Sequence, residues 1–236
     1  MGTIKQGILG GFSGKVGTVV GSTWKSVNYM RALAVSISNP RTEKQQDQRA
    51  RFAEAINFTK AMTPFLRIGY KEYSKDQSAF NAAVSYIMKH AITGGSESVS
   101  IDYKKALVSR GSLAAALNAS VTTGSDKLSF VWEDNSGMGD AATTDTAMLL
   151  AYNKSKEVAV YDTVSATRAA EAAELKLPAN WNGDALAIYL GFCNEDGTNV
   201  ANSVCLKDDQ AGNSSGNGGS QGGGSGTGEI DDNPLG

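Results

Sequence analysis

Hydrolytic, redox and zinc chemistry draws chiefly on histidine, cysteine and clustered carboxylates, and this chain of 236 residues holds one histidine and two cysteines. His90 stands near the end of an amphipathic segment, where a helix dipole favours a charged imidazole and the last carbonyls need a donor. It reads as a helix cap rather than a catalytic base. A Ser-His-Asp triad has nothing further to draw on, and a four-ligand zinc site lacks a second histidine. Gly14-Lys15 invites a phosphate-loop reading. Yet Val16 stands where Ser or Thr should follow the lysine, and Leu9 occupies the position five before Gly14 that requires glycine. The acidic pairs Glu133-Asp134, Glu195-Asp196 and Asp208-Asp209 lack the alternation of a calcium loop. The expectation is a protein that is not an enzyme, with no catalytic residue, cofactor, metal or small-molecule substrate.

Binding is what the residue types favour. In the first 51 residues Lys5, Lys15, Lys25, Arg31, Arg41, Lys44, Arg49 and Arg51 oppose only Glu43 and Asp47, and Phe12, Trp24 and Tyr29 interleave with them. Basic charge alternating with stacking rings suits single-stranded nucleic acid. The competing reading makes the aromatics the core of a small sheet. Residues 1 to 110 carry 16 Lys and Arg against 7 Asp and Glu, whereas 111 to 236 carry 6 against 17. The acidic half would repel a polyanion, so a protein partner or self-assembly is favoured and nucleic acid is the alternative. The candidate interaction residues are Lys15, Trp24, Lys25, Tyr29 and Arg31, with Gln45, Arg49 and Phe52, which fall at i, i+4 and i+7 on one helical face. That face can clamp the preceding ribbon or dock another molecule.

Positioning these residues requires three kinds of element. Residues 1–38, rich in glycine and β-formers, predict a β-ribbon with a turn near Gly21-Ser22 and too little apolar surface to stand alone. Residues 39–98 predict helices. Asn39-Pro40 breaks the ribbon, and Thr42 with Gln45 opens a helix over roughly 43–61. Thr63 as cap, with Pro64 at the first helical position, opens a short one to about Tyr70. Ser74 with Gln77 caps a third, striped by Phe80, Ala83, Val84, Ile87, Met88 and Ala91 and ended by Thr93-Gly94-Gly95. Residues 99–209 break into about seven short β-runs: 112–121, 129–132, 147–152, 158–161, 173–177, 186–192 and 200–206. That spacing predicts an antiparallel β-sandwich, Ig-like or similar, and an α+β fold class. Residues 210–236 predict a disordered tail, a Gly/Ser linker carrying the acidic segment 229–236.

The longest apolar runs, such as 147–151, are far too short to span a bilayer, and the amino end lacks a secretory pattern. The expected location is the cytoplasm at synthesis, with a virion as a destination, and no insertion into a membrane. Cys193 and Cys205 fall on a hairpin whose apolar faces set Phe192 opposite Val200 and Ile188 opposite Val204. That register leaves Cys193 near Asn199 and Cys205 near Ala187, too far apart to bridge.

Asn39-Pro40-x-Thr42-x-x-Gln45-x-x-x-Arg49-x-x-Phe52, preceded by Gly14-Lys15-Val16-Gly17 and Tyr29-x-Arg31, resembles an uncharacterised family of bacterial and phage-associated proteins. Residues 81–112, the stretch Ser109-Arg110-Gly111-Ser112-Leu113 and the strand with Val131-Trp132 are also similar. The resemblance covers the chain to about Asp209. It implies a shared architecture and a phage or mobile-element setting, and it brings no catalytic residues.

Overall fold

The computed structural model describes residues 2–4, 10–24, 27–36, 41–74, 77–95 and 98–209. The Asn39-Pro40 break and the tail 210–236 lie outside the described residues. The chain divides into two compact units, Met1–Gln48 and Arg49–Gly236, and the division falls inside helix α1 (Glu43–Lys60).

In the first unit, β1 (Thr3–Ile4), β2 (Phe12–Val16), β3 (Val19–Trp24) and β4 (Val27–Ala32) form an antiparallel sheet in that order. The β2–β3 turn falls at Gly17-Thr18 and not at Gly21-Ser22. Gly17 adopts φ +59°, which suits a tight hairpin, whereas Gly21 sits mid-strand. Gly21 is there for space. A Cβ at Gly21 would stand 2.1 Å from the Phe12 carbonyl oxygen and 2.6 Å from its ring.

In the second unit, β5 (Ile92–Thr93) and β6 (Ser100–Ile101) make a short antiparallel pair, and β10 (Val158–Asp162), β9 (Thr146–Asn153), β12 (Leu186–Cys193) and β13 (Val204–Asp208) form one antiparallel sheet. A second contains β11 (Ala172–Lys176), β8 (Lys127–Glu133) and β7 (Leu117–Thr123). Between the two sheets lie Leu128, Phe130, Trp132 and Leu175 from one side and Leu149, Ala151, Ile188, Leu190 and Phe192 from the other. This is the sandwich, and with the helices it makes the fold α+β. Strand β8 alternates buried and exposed residues, as a strand with one covered face must.

Strands β9 and β12 do not alternate; β12 is buried at every position and β9 nearly so. Their other face, Met148, Leu150, Tyr152, Ala187 and Tyr189, packs on Phe58, Met62, Phe65, Leu66, Tyr70, Val84 and Ile87. These come from α1, from the turn that joins it to α2 (Thr63–Gly69), from α2 itself with the residue that follows it, and from α3 (Ala79–His90). Helices, four-stranded sheet and three-stranded sheet are thus three layers around two cores that share the middle one. Phe58 meets Tyr152 edge-on with ring centroids 4.9 Å apart.

Several local expectations shift. Thr63 is the first residue of α2 and not its cap; its hydroxyl donates back to the Lys60 carbonyl at 3.0 Å. Helix α3 is capped by Ser78, whose Oγ accepts from the Asn81 amide at 3.1 Å, rather than by Ser74. The strand expected over 112–121 runs 117–123, with Asn118 at φ 47° in a register break. The last hairpin pairs Leu190 with Val204 and Tyr189 with Cys205, not Ile188 with Val204. It slips because Asn202-Ser203 leave the ladder. The Ser203 amide donates to the Ser109 carbonyl, and Ser203 Oγ accepts from the amides of Val108 and Ser109. Cys193 and Cys205 are free, and burial pushes both thiols up, Cys205 to about 11.

The stretch Ser109–Leu113 is a seam. The Arg110 amide donates to Gly69 at the end of α2, Ser109 Oγ donates to Ala201 and the Leu113 amide to Val200. Gly111 lies so close to the Val200 carbonyl that a Cβ would stand 2.2 Å from it. Backbone satisfaction explains why these residue types stand together.

Candidate interaction surface

Cross-strand register decides which side chains of the first unit share a face. Residues paired directly across an antiparallel sheet point the same way, and alternate residues along a strand do too. Lys15 pairs with Val20 and Val20 with Arg31, Ser22 pairs with Tyr29, and Trp24 with Val27. One face of the sheet therefore presents Lys15, Trp24, Tyr29 and Arg31 together, with Val20 and Val27 between them. All four are exposed, Trp24 at 65%. Phe12 lies on the opposite face, over Gly21. Lys25 lies outside the described residues.

Strand β4 is the edge of this sheet and is exposed at all six positions, Met30 at 70%. Beyond it the chain continues through Leu33, whose amide donates to the Thr18 carbonyl at 2.7 Å, to a fully exposed Val35. Thr18, Val19, Met30 to Ala32, Leu33 and Val35 border an open groove of about 680 Å³. Ala32, Leu33, Ala34 and Val35 give this stretch no charge of its own, and Arg31 is its one cation. Water gains little from such a surface, and an apolar partner would gain its burial.

Gln45, Arg49 and Phe52 all fall within α1 and are exposed, Phe52 at 51%. His90 is the last residue of α3, and its ring lies 4.5 Å from that of Tyr86.

A second concave region, wholly in the larger unit, is polar. Glu54, Asp102, Tyr103, Lys154 and Asp208 converge on a cavity of about 510 Å³. Its charges are largely paired internally. Lys154 Nζ binds the Asp208 carboxylate and the Asp209 carbonyl and lies 4.4 Å from the Tyr103 ring centre, while Lys105 holds Asp102 at 3.0 Å. Burial pushes the Tyr103 phenol up to about 12, so it is no base near neutrality. Burial, with the Glu157 carboxylate adding to it, holds the Glu54 carboxyl above its ordinary value. Ionised Glu54 therefore costs the folded state stability at neutral pH, a cost that disappears once the pH falls below about 4.5, where the group is protonated folded or unfolded. Glu54→Gln is expected to raise the melting temperature slightly at pH 7 and to leave it unchanged at pH 4. Calorimetry at both pH values checks this.

Among the described residues no group of three or more His, Cys, Asp and Glu is placed to hold a metal ion, and no helix is long and apolar enough to cross a membrane.

No curated protein matches the chain. Among solved structures, the fn3 domain of human contactin 1 is similar at 17% identity, covering 45% of this chain and 87% of that one, with a TM-score of 0.30. The fn3 domain of the human collagen alpha-1(XX) chain is similar at 16% identity, covering 46% and 99%, with a TM-score of 0.29. The model of one family matches residues 11–207, a span that takes in strands β2 to β4 of the exposed sheet and all three layers of the larger unit. The chain therefore belongs to the family of unknown function DUF6266.

Proposed function

We propose that this protein is a non-enzymatic structural or interaction protein whose amino-terminal sheet attaches it to a protein assembly, with the three-layer body carried as the displayed part. The observation that carries the reading is the edge strand β4 and its continuation to Val35, exposed along its length and apolar at Val27, Tyr29, Met30, Leu33 and Val35. A four-stranded sheet this small gains its stability by being covered, and an apolar edge left open is the surface on which another chain pairs. The basic first half and acidic second half suit two surfaces that meet different partners. The phage or mobile-element setting implied by the resemblance makes a virion or surface assembly the place we infer for it.

The test is the double substitution Leu33→Asp with Val35→Asp in the full chain. Val35 is fully exposed and Leu33 partly so, so the body should melt unchanged. Association, measured by sedimentation velocity of the purified chain and by co-fractionation from its native source, should weaken at least tenfold. Association that is indifferent to both charges would sink the reading.

A second reading rests on the shared face of Lys15, Trp24, Tyr29 and Arg31, which offers cations and stacking rings to a single-stranded nucleic acid. Salt-sensitive retention of single-stranded DNA by the same sample, with protein association absent, would favour it instead.

A further inference from the structure

Which protein seats itself on β4 can be read from the strand. The Leu33 amide donates to Thr18, and Leu33 continues the register in which Ala32 pairs with Val19. Backbone groups alternate sides along a strand, so Arg31, Tyr29 and Val27 turn their amides and carbonyls toward β3. Asn28, Met30 and Ala32 then turn theirs outward, to the open edge. We propose that this edge pairs antiparallel with β4 of a second copy, with Met30 of each chain on a twofold axis, making one continuous eight-stranded sheet. The proposal rests on the reading of the amino-terminal sheet as an attachment element and names its partner.

Symmetry restricts the register. A twofold relating two antiparallel edge strands stands perpendicular to the sheet and keeps each face on its own side. Only residues of the same alternation can therefore meet. Centring on Met30 pairs Met30 with Met30, Asn28 with Ala32, Tyr29 with Arg31 and Val27 with Leu33. The outward-facing residues then sit in the hydrogen-bonded pairs, giving about six inter-chain bonds. The strand's one charge meets the face of an aromatic ring twice over, a favourable cation–π arrangement. Centring on Arg31 would set guanidinium against guanidinium. Centring on Tyr29 would set Arg31 against Val27 and forgo the ring.

Other features of the strand agree. Val27–Ala32 has no proline, lysine or bulge, the devices by which edge strands are kept apart. The exposed side chains of Val27, Tyr29, Met30, Leu33 and Val35 are the apolar surface that each copy brings to the pairing. The pairing also aligns the Lys15–Trp24–Tyr29–Arg31 faces of the two copies side by side.

The experiment uses the full chain. Met30→Cys should form a disulfide-linked dimer under mild oxidation, because directly paired residues about 5.5 Å apart at Cα lie within bridging range. Wild type, with its own Cys193 and Cys205, and Val164→Cys, on an exposed loop of the larger unit, should not. Met30→Pro takes away an outward-facing donor at the centre of the pairing, so it should raise the dimer dissociation constant at least tenfold in sedimentation while the larger unit, Arg49–Gly236, melts unchanged. A wild-type chain that stays monomeric at every concentration overturns the proposal. So does Met30→Cys that fails to bridge while association sensitive to Leu33→Asp and Val35→Asp persists. In that last case the attachment reading stands and only the identity of the partner is wrong.

Discussion

Arg168→Ala should destabilise the larger unit by about 3–5 kcal/mol in urea unfolding, one of the two largest effects expected for a single substitution in this protein. Arg168 is 0% exposed. Its Nε donates to Asp145 Oδ2 at 3.0 Å, Nη2 to the Ala114 carbonyl at 2.9 Å, and Nη1 to the Asn135 side chain, while the guanidinium lies 3.9 Å from the centre of the Phe192 ring. Asp145 in turn accepts from the Ala142 amide at 2.9 Å, and the Arg168 carbonyl accepts from Trp132 Nε1 at 2.7 Å. One guanidinium thus satisfies three loops at one end of the sandwich. Truncating it leaves Asp145 buried with its charge unpaired and Asn135 and Ala114 short of a donor. The double change Arg168→Met with Asp145→Leu removes both charges together and should recover part of the loss. A single substitution that costs less than about 1 kcal/mol would show that water reaches the site and that the network is not sealed.

The second large effect concerns the shared middle sheet. Leu149 and Leu150 are neighbours on β9 and both are buried, but Leu149 belongs to the core between the sheets and Leu150 to the core beneath the helices. Either residue changed to Ala should cost about 2–5 kcal/mol, from lost burial and the cavity left behind. Because one sheet supplies a wall to both cores, Leu149→Ala should lower the midpoint of the helical signal as much as that of the tryptophans. Leu150→Ala should do the same in reverse. Far-ultraviolet dichroism and tryptophan fluorescence followed in the same denaturant series measure both. Two separated midpoints would mean that the helical layer and the sandwich unfold independently.

The hydrophobic patterns made most elements legible. The helices starting near Glu43 and Thr63 fall where their start signals, Thr42 with Gln45 and Thr63-Pro64, put them, and the amphipathic stripe containing Val84 and Ile87 and the strands around Phe130, Leu149, Val160, Leu175 and Ile188 fall where the hydrophobic pattern does. Local boundaries were harder to read, because competing caps and turns differ by little energy. Ser74 and Ser78 both offer a capping hydroxyl, and Gly17 and Gly21 both offer a flexible backbone. Tertiary contacts choose between them: the Phe12 ring needs the space above Gly21, and Ser78 Oγ meets the Asn81 amide. Arg168 carried no signal in the sequence, since its partners Asp145, Asn135 and Ala114 come from distant loops.

Composition and periodicity determined by themselves that this chain is an α+β protein poor in catalytic residue types, with a glycine-rich basic front and a β-rich acidic remainder. Those are properties of local residue types, which need no knowledge of distant contacts. The tertiary structure decided that β9 and β12 are covered on both faces and tie two cores into one body. It also decided that Lys15, Trp24, Tyr29 and Arg31 look out from one side of a sheet whose edge is open. Both depend on which strand lies beside which and in what register. A shift of one residue in that pairing turns every side chain to the other face, and only the packed chain fixes it.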